Sequence, residues 1–144
     1  MTRTALLDIN VLLALLDSDH MDHAAARTWL SSEIQHGWSS CALTQNGFVR
    51  VISQPRYPGA ISPSQAMHRL RRATRTRYHA FWDCDVSLLD QTAIDPTRLH
   101  GPRQVTDAYL LALAVSKGGR FVTFDRGVPL AAVRNADEEN LVVL

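Results

Sequence analysis

The chain has 144 residues, 46% of them hydrophobic and 20% charged, a mix that fits one folded domain and excludes wholesale disorder. Its longest uninterrupted apolar runs, 11–16 and 110–115, are far shorter than the roughly 18–20 residues that span a bilayer, and Asp8 and Asn10 interrupt the N-terminal stretch that looks like a signal peptide. The net charge of +1 selects no partner, but its distribution is uneven: 34–82 holds seven arginines and no acidic residue, which is either a cationic surface or a solvated face in an arginine-rich composition.

The apolar run 4–7 ends in Asp8 and reads as a buried strand, with a helix entering at 9–16. A helical stripe covers 23–34. A short strand is expected at 38–42, and Thr44 is placed to cap a helix running to about 53. The segment 54–61, with two prolines and a glycine, is a loop. Ser62 followed by Pro63 opens a helix to about 76, with Met67, Leu70 and Thr74 inward and five arginines outward or on the flanks. Phe81 and Trp82 read as core residues before a weak strand at 85–89. A loop at 95–103 leads to an apolar helix at 106–116, closed by Gly118 and Gly119. Strands follow at 120–124 and 140–144. Strands alternating with helices imply an α/β domain with a parallel sheet.

Two of these strands end in an aspartate, Asp8 and Asp125, and ligands of open parallel sheets bind outside the carboxyl ends of the strands. Asp107 is the only charge between 104 and 116, in the first turn of an apolar helix. Each has an ordinary structural use: Asp8 as a helix cap, Asp107 against a helix dipole, Asp125 as the start of a turn. Together they make a crowded set of negative charges, which a hard cation such as Mg²⁺ or Mn²⁺ would neutralise. Cys41 and Cys84 stand in unrelated contexts and suggest neither a disulfide framework nor a zinc site, so a cytosolic protein without membrane contact is expected. His20 and His23 read as a solvated helix start rather than a ligand pair.

The segments LLDINVLLALL, TQNGFVRV, QVTDAYLLALA and FVTFDRG, in this order and spacing, resemble the PIN-domain ribonucleases, and more narrowly the VapC-type toxins of bacterial VapBC toxin–antitoxin modules. The resemblance covers nearly the whole chain. It implies a single PIN domain over 1–144, an α/β/α sandwich around a parallel sheet of about five strands. It also implies metal-dependent endonucleolytic hydrolysis of RNA, leaving 5′-phosphate and 3′-hydroxyl ends. Asp8, Asp107 and Asp125 match the metal-holding acids, with Asn10, Thr106 and Thr123 orienting them. Gln45 falls where the family carries a second acid. That departure implies one firmly held Mg²⁺ (or Mn²⁺) and leaves open a weakened PIN domain that mainly binds RNA or antitoxin. Arg69, Arg72 and Arg75, with Arg126 beside Asp125, are the candidate RNA contacts, and Tyr78, Phe81 and Trp82 lie next to the arginine run. The implied partners are RNA, a VapB-type antitoxin and a second copy of the chain. A phosphotransferase of the haloacid-dehalogenase type fits poorly, because Lys117, the only lysine, sits at a helix C-terminus beside two glycines.

Overall fold

The computed structural model describes residues 3–144. Short apolar segments form five strands: β1 (Ala5–Leu7), β2 (Trp38–Cys41), β3 (His79–Trp82), β4 (Arg120–Thr123) and β5 (Leu141–Val143). They join in one sheet in the order β3-β2-β1-β4-β5, and every neighbouring pair is parallel. The helices are α1 (Ile9–Leu16), α2 (His23–Glu33), α3 (Ala42–Ile52), α4 (Pro63–Thr74) and α5 (Val105–Ser116). No helix among the described residues is long and apolar enough to cross a membrane.

Alternation along the strands builds two apolar layers. Ala5 and Leu7 of β1 and Val122 of β4 face a cluster with Val11, Leu12, Phe48, Ile52 and Leu70 from α1, α3 and α4. Leu6 and Phe121 face the opposite side, where α5 buries Leu110, Leu111 and Leu113. The expected three-layer α/β/α sandwich is therefore present. The chain builds the sheet outward from β1 through β2 to β3, then returns to place β4 on the other side of β1. The order reverses between β1 and β4, and such a reversal opens a crevice at the carboxyl edge of a parallel sheet.

Several local expectations change. The third helix starts earlier than Thr44: Cys41 is its cap, and Thr44 lies inside the first turn, its hydroxyl accepting from the Cys41 N–H at 2.9 Å. No strand forms at 85–89. The strand is β3, whose register with β2 pairs Trp38 with His79 and Cys41 with Trp82. Residues 85–89 are instead held by a Lys117–Asp85 ion pair of 3.0 Å and a turn in which the Leu89 N–H donates to Ser87 Oγ at 3.1 Å. Because β3 is an edge strand, Phe81 is 52% exposed rather than core, while Trp82 is half-buried and packs toward the α5 layer. In α4 the inner face is Ala66 and Leu70, and Met67 is 49% exposed. The loop at 95–103 contains short 3-10 turns at Pro96–Arg98 and Pro102–Gln104.

Candidate active site

Asp8 leaves the end of β1 and is the N-cap of α1, so its backbone is fixed by both elements. Its carboxylate is buried. One oxygen accepts from the Ile9 N–H at 2.7 Å, and the other accepts from the Thr123 hydroxyl at 2.7 Å. The capping use and the site placement are thus the same geometry. Burial pushes the Asp8 carboxyl above its ordinary range; the bonds from Thr123 and Ile9 pull it down, and the charge of Asp125 raises it further.

Thr123, the last residue of β4, joins the parts. A hydroxyl has one donor and two acceptor positions, and all are used. It donates to Asp8 and accepts from Asn10 Nδ2 at 3.3 Å and from the Asp125 N–H at 3.0 Å. Asn10, in the first turn of α1, also accepts from the Phe124 N–H at 3.3 Å. Asp125 turns the chain, accepting from the Gly127 N–H at 2.7 Å. The connection is therefore a polar seam across the reversal point between β1 and β4.

Asp107 approaches from the first turn of α5, half-buried. Its carboxyl is pushed up to about 7, by burial first, then by the charge of Asp8, then by a hydrogen bond with Asp125 and that group's charge. Asp107 therefore lies near enough to both Asp8 and Asp125 to feel their charge. Among the described residues no three His, Cys, Asp or Glu side chains form a ready metal cage. The donor set nonetheless fits a hard cation. It consists of carboxylate oxygens only, and the repulsion among them, which adds to burial in raising Asp8 and Asp107, is what a divalent ion relieves.

The other sequence candidates separate. Gln45 is half-buried on α3, and its amide donates to Ser40 Oγ at 3.0 Å; Ser40 Oγ is in turn 2.8 Å from His79 Nε2. That chain of polar groups lies toward β3, and no hydrogen bond among the described residues joins it to the carboxylates. Burial pushes the His79 imidazole below its ordinary range. Sequence spacing carries no signal for this trio, because its members come from three elements. Gly47 of α3 packs against the start of α1: a Cβ there would overlap Ile9 Cδ1. Thr106 is exposed, and its side chain makes no hydrogen bond among the described residues. Arg126 is exposed next to Asp125 and forms no ion pair among the described residues. Arg69, Arg72 and Arg75 are exposed on and just past α4. The Arg69 guanidinium donates to the carbonyl of Leu16, the last residue of α1, at 3.0 Å. With a rise of about 1.5 Å per residue, the eight residues of α1 place that contact about 12 Å from Asp8. A residue the sequence did not single out is Gln104. Its amide donates to the Gly127 carbonyl at 3.4 Å and ties the start of α5 to the Asp125 turn.

A family profile for the PIN domain matches residues 5–134. Ribonuclease VapC44 of Mycobacterium tuberculosis is 64% identical over 140 residues, covering 97% of this chain and 99% of that one. Ribonuclease VapC38 of the same species is 45% identical over 125 residues, covering 86% of each. Two solved structures share the fold at low identity. VapC20 of Mycobacterium tuberculosis, described as a sarcin-ricin loop cleaving toxin, superposes with a TM-score of 0.58 at 12% identity, over 81% of this chain and 85% of that one. VapBC2 of Rickettsia felis, bound to a DNA fragment from its promoter, gives 0.59 at 11% identity, over 98% and 97%. With the sheet order, the carboxylates at its reversal point and these matches in agreement, the chain belongs to the PIN-domain family and, within it, to the VapC type.

Proposed function

We propose that this protein is an endoribonuclease toxin that hydrolyses RNA phosphodiester bonds at Asp8, Asp107 and Asp125. The observation that carries the reading is the convergence of three acids at the reversal point: Thr123 donates to the buried Asp8 and accepts from the Asp125 N–H, and Asp107, in the first turn of α5, lies near enough to both to feel their charge. The ribonuclease names of its relatives support the reaction class. Asp8, Asp107 and Asp125 would hold a divalent cation, Mg²⁺ or Mn²⁺, which when bound lowers the pKa of a water and draws charge from the phosphoryl oxygens.

The protein's own groups do the rest. Asp8 is oriented before any ligand arrives, because the Ile9 N–H and the Thr123 hydroxyl grip both of its oxygens. Asn10 and Thr123 hold the Phe124–Asp125 backbone against α1, which keeps the Asp125 carboxylate facing Asp107. Asp107 completes the donor set or takes the proton of the attacking water, directly or through a second water. Arg126 is placed to meet a phosphate beside Asp125. The arginines of α4 meet RNA farther along the strand. In the same reading the toxin is restrained by a VapB-type antitoxin and pairs with a second copy.

The test is cleavage of total bacterial RNA by the purified protein with Mg²⁺, with Mn²⁺ and with a chelator. Discrete cuts with 5′-phosphate ends are expected in the metal arms, with activity reduced more than about 100-fold by Asp8→Asn. Retention of RNA or antitoxin-peptide binding with no cleavage in any arm would replace this reading with that of a binding module.

A further inference from the structure

The stretch 34–82, with seven arginines and no acid, folds into β2, α3, α4 and β3. Between α3 and α4 it leaves a groove of about 540 Å³, a size that suits a small ligand. Val49, Met67 and Leu70 give the groove apolar walls, and Arg50 and Arg71, both exposed, line it as well. No acidic side chain lines it, and neither arginine has an ion pair among the described residues. The Ile61 N–H donates to the Ile52 carbonyl at 3.3 Å, which sets the start of α4 beside the end of α3. The two helices therefore run in opposite directions, with Ser53 and Pro63 at one end of the groove and Gln45 and Thr74 at the other. At about 1.5 Å per residue, Gln45 and Ser53 lie about 12 Å apart.

The Gln45 end is held from behind. Ser40 is fully buried on β2, and its hydroxyl has two partners among the described residues, Gln45 Nε2 at 3.0 Å and His79 Nε2 at 2.8 Å. The Gln45 amide nitrogen can only donate, so the Ser40 proton has one acceptor, the His79 ring nitrogen. Burial keeps that imidazole neutral at neutral pH, which leaves its nitrogen free to accept. Ser40 thereby fixes which way the Gln45 amide faces. Its nitrogen is engaged, and its carbonyl oxygen accepts no hydrogen bond among the described residues. Because α3 starts at the carboxyl end of β2, and β2 lies beside β1, this end of the groove opens at the sheet edge where Asp8 stands.

An oriented acceptor, apolar walls and two unpaired arginines fit a nucleotide. Every base carries an N–H on its Watson–Crick edge for the carbonyl, a flat face for Met67 and Leu70, and phosphates on either side for the guanidiniums. An acidic peptide would answer the arginines but set its carboxylates against the Gln45 oxygen. In a duplex the Watson–Crick edge is covered by the complementary strand. We infer that the α3–α4 groove is a subsite for one unpaired nucleotide of the RNA, whose base N–H is accepted by the Gln45 carbonyl and whose phosphates are held by Arg50 and Arg71. The inference rests on the reading of the protein as a ribonuclease and adds the form of RNA it takes.

The test is fluorescence titration of the whole protein, in chelator, with three labelled probes: a short oligouridylate, the same oligomer methylated at every uracil N3, and the oligouridylate annealed to oligoadenylate. Methylation removes the ring N–H. The unmodified single strand should bind about three- to tenfold tighter than the methylated one, as for one hydrogen bond, and tighter than the duplex. Gln45→Leu should abolish the difference between the two single strands. Arg50→Ala and Arg71→Ala, at exposed positions, should keep the melting temperature and lower the salt slope by about 0.7 for each lost contact. If Gln45→Leu does not fold, the methylated oligomer on the unaltered protein carries the test. Equal affinity for the two single strands, or a difference that survives Gln45→Leu, would overturn the inference. So would arginine variants with unchanged RNA affinity, including variants that change only the oligomeric mass or the binding of poly-aspartate. Cleavage of total RNA decides the ribonuclease reading separately: cleavage retained without these differences removes the subsite alone.

Discussion

At the scale of the residue, the site depends on one hydroxyl. Thr123 spends its single proton on Asp8 and its lone pairs on Asn10 and the Asp125 backbone. Thr123→Val keeps the shape but leaves the buried Asp8 oxygen without a donor, a cost of about 1–3 kcal/mol in stability. It should also lower RNA cleavage about 10- to 100-fold, as loss of a group that orients metal ligands does. Thr123→Ser should restore most of both, measured by thermal unfolding and a cleavage assay. A serine variant as impaired as the valine variant would show that the methyl group, not the hydroxyl, matters. The motif FVTFD places this threonine two residues before Asp125 in the sequence. Its link to Asp8, across 115 positions, exists only because β1 and β4 are neighbours.

At the scale of the element, the start of α1 is wedged against α3. Gly47 gives Ile9 its space, and a side chain at 47 would push on the residue next to Asp8. Gly47→Ala should destabilise the protein by about 1–3 kcal/mol through overpacking. The double variant with Ile9→Ala should recover much of that loss, and a denaturant-based double-mutant cycle reads the coupling. Additive effects would mean that α3 shifts instead of pressing on Ile9. The same helix shows where the sequence stops being informative. The resemblance puts Gln45 where an acid is expected, yet its amide engages Ser40, because the turn that Cys41 opens sets which face of α3 looks toward β3. The strand at 79–82 was hidden for a related reason. An edge strand has one covered side, so HAFW lacks the continuous apolar run of β1.

At the scale of the whole molecule, the carboxylates make cation-free stability depend on pH. Asp107 rises from 3.8 toward about 7 on folding, so the folded state binds more protons than the unfolded chain in that interval. Its contribution is present below the unfolded value and is lost as pH rises through about 7. The melting temperature of the chelated protein should therefore fall between about pH 5 and pH 8. Asp107→Asn should remove this part of the slope and raise the melting temperature at the alkaline end. Added Mg²⁺ or Mn²⁺ should stabilise the protein more at the alkaline end, where the carboxylates are charged. A slope unchanged by Asp107→Asn would place the titration elsewhere. The arginines make a second global prediction. Arg72 and Arg75 lie on and just past α4, whose Arg69 contacts the far end of α1. Replacing both with alanine should weaken RNA binding and reduce the salt slope by about 0.7–0.9 for each lost phosphate contact. The cleavage rate at saturating RNA should change little, whereas Arg126→Ala, beside Asp125, should lower that rate.

The sequence by itself determined the α/β class, most of the helices, the strands of the sheet centre and the three aspartates. Those features rest on local rules: apolar runs long enough to be buried, prolines and glycines that stop helices, and acids at strand ends. The tertiary structure alone decided the strand order, and with it everything that depends on which elements become neighbours. It put the reversal point between β1 and β4, so that Thr123 reaches Asp8. It made β3 an edge, so that Phe81 is exposed, and turned Gln45 toward Ser40. Local patterns fix where a chain bends and which side it buries, but contacts between distant residues follow from how the buried faces share one core.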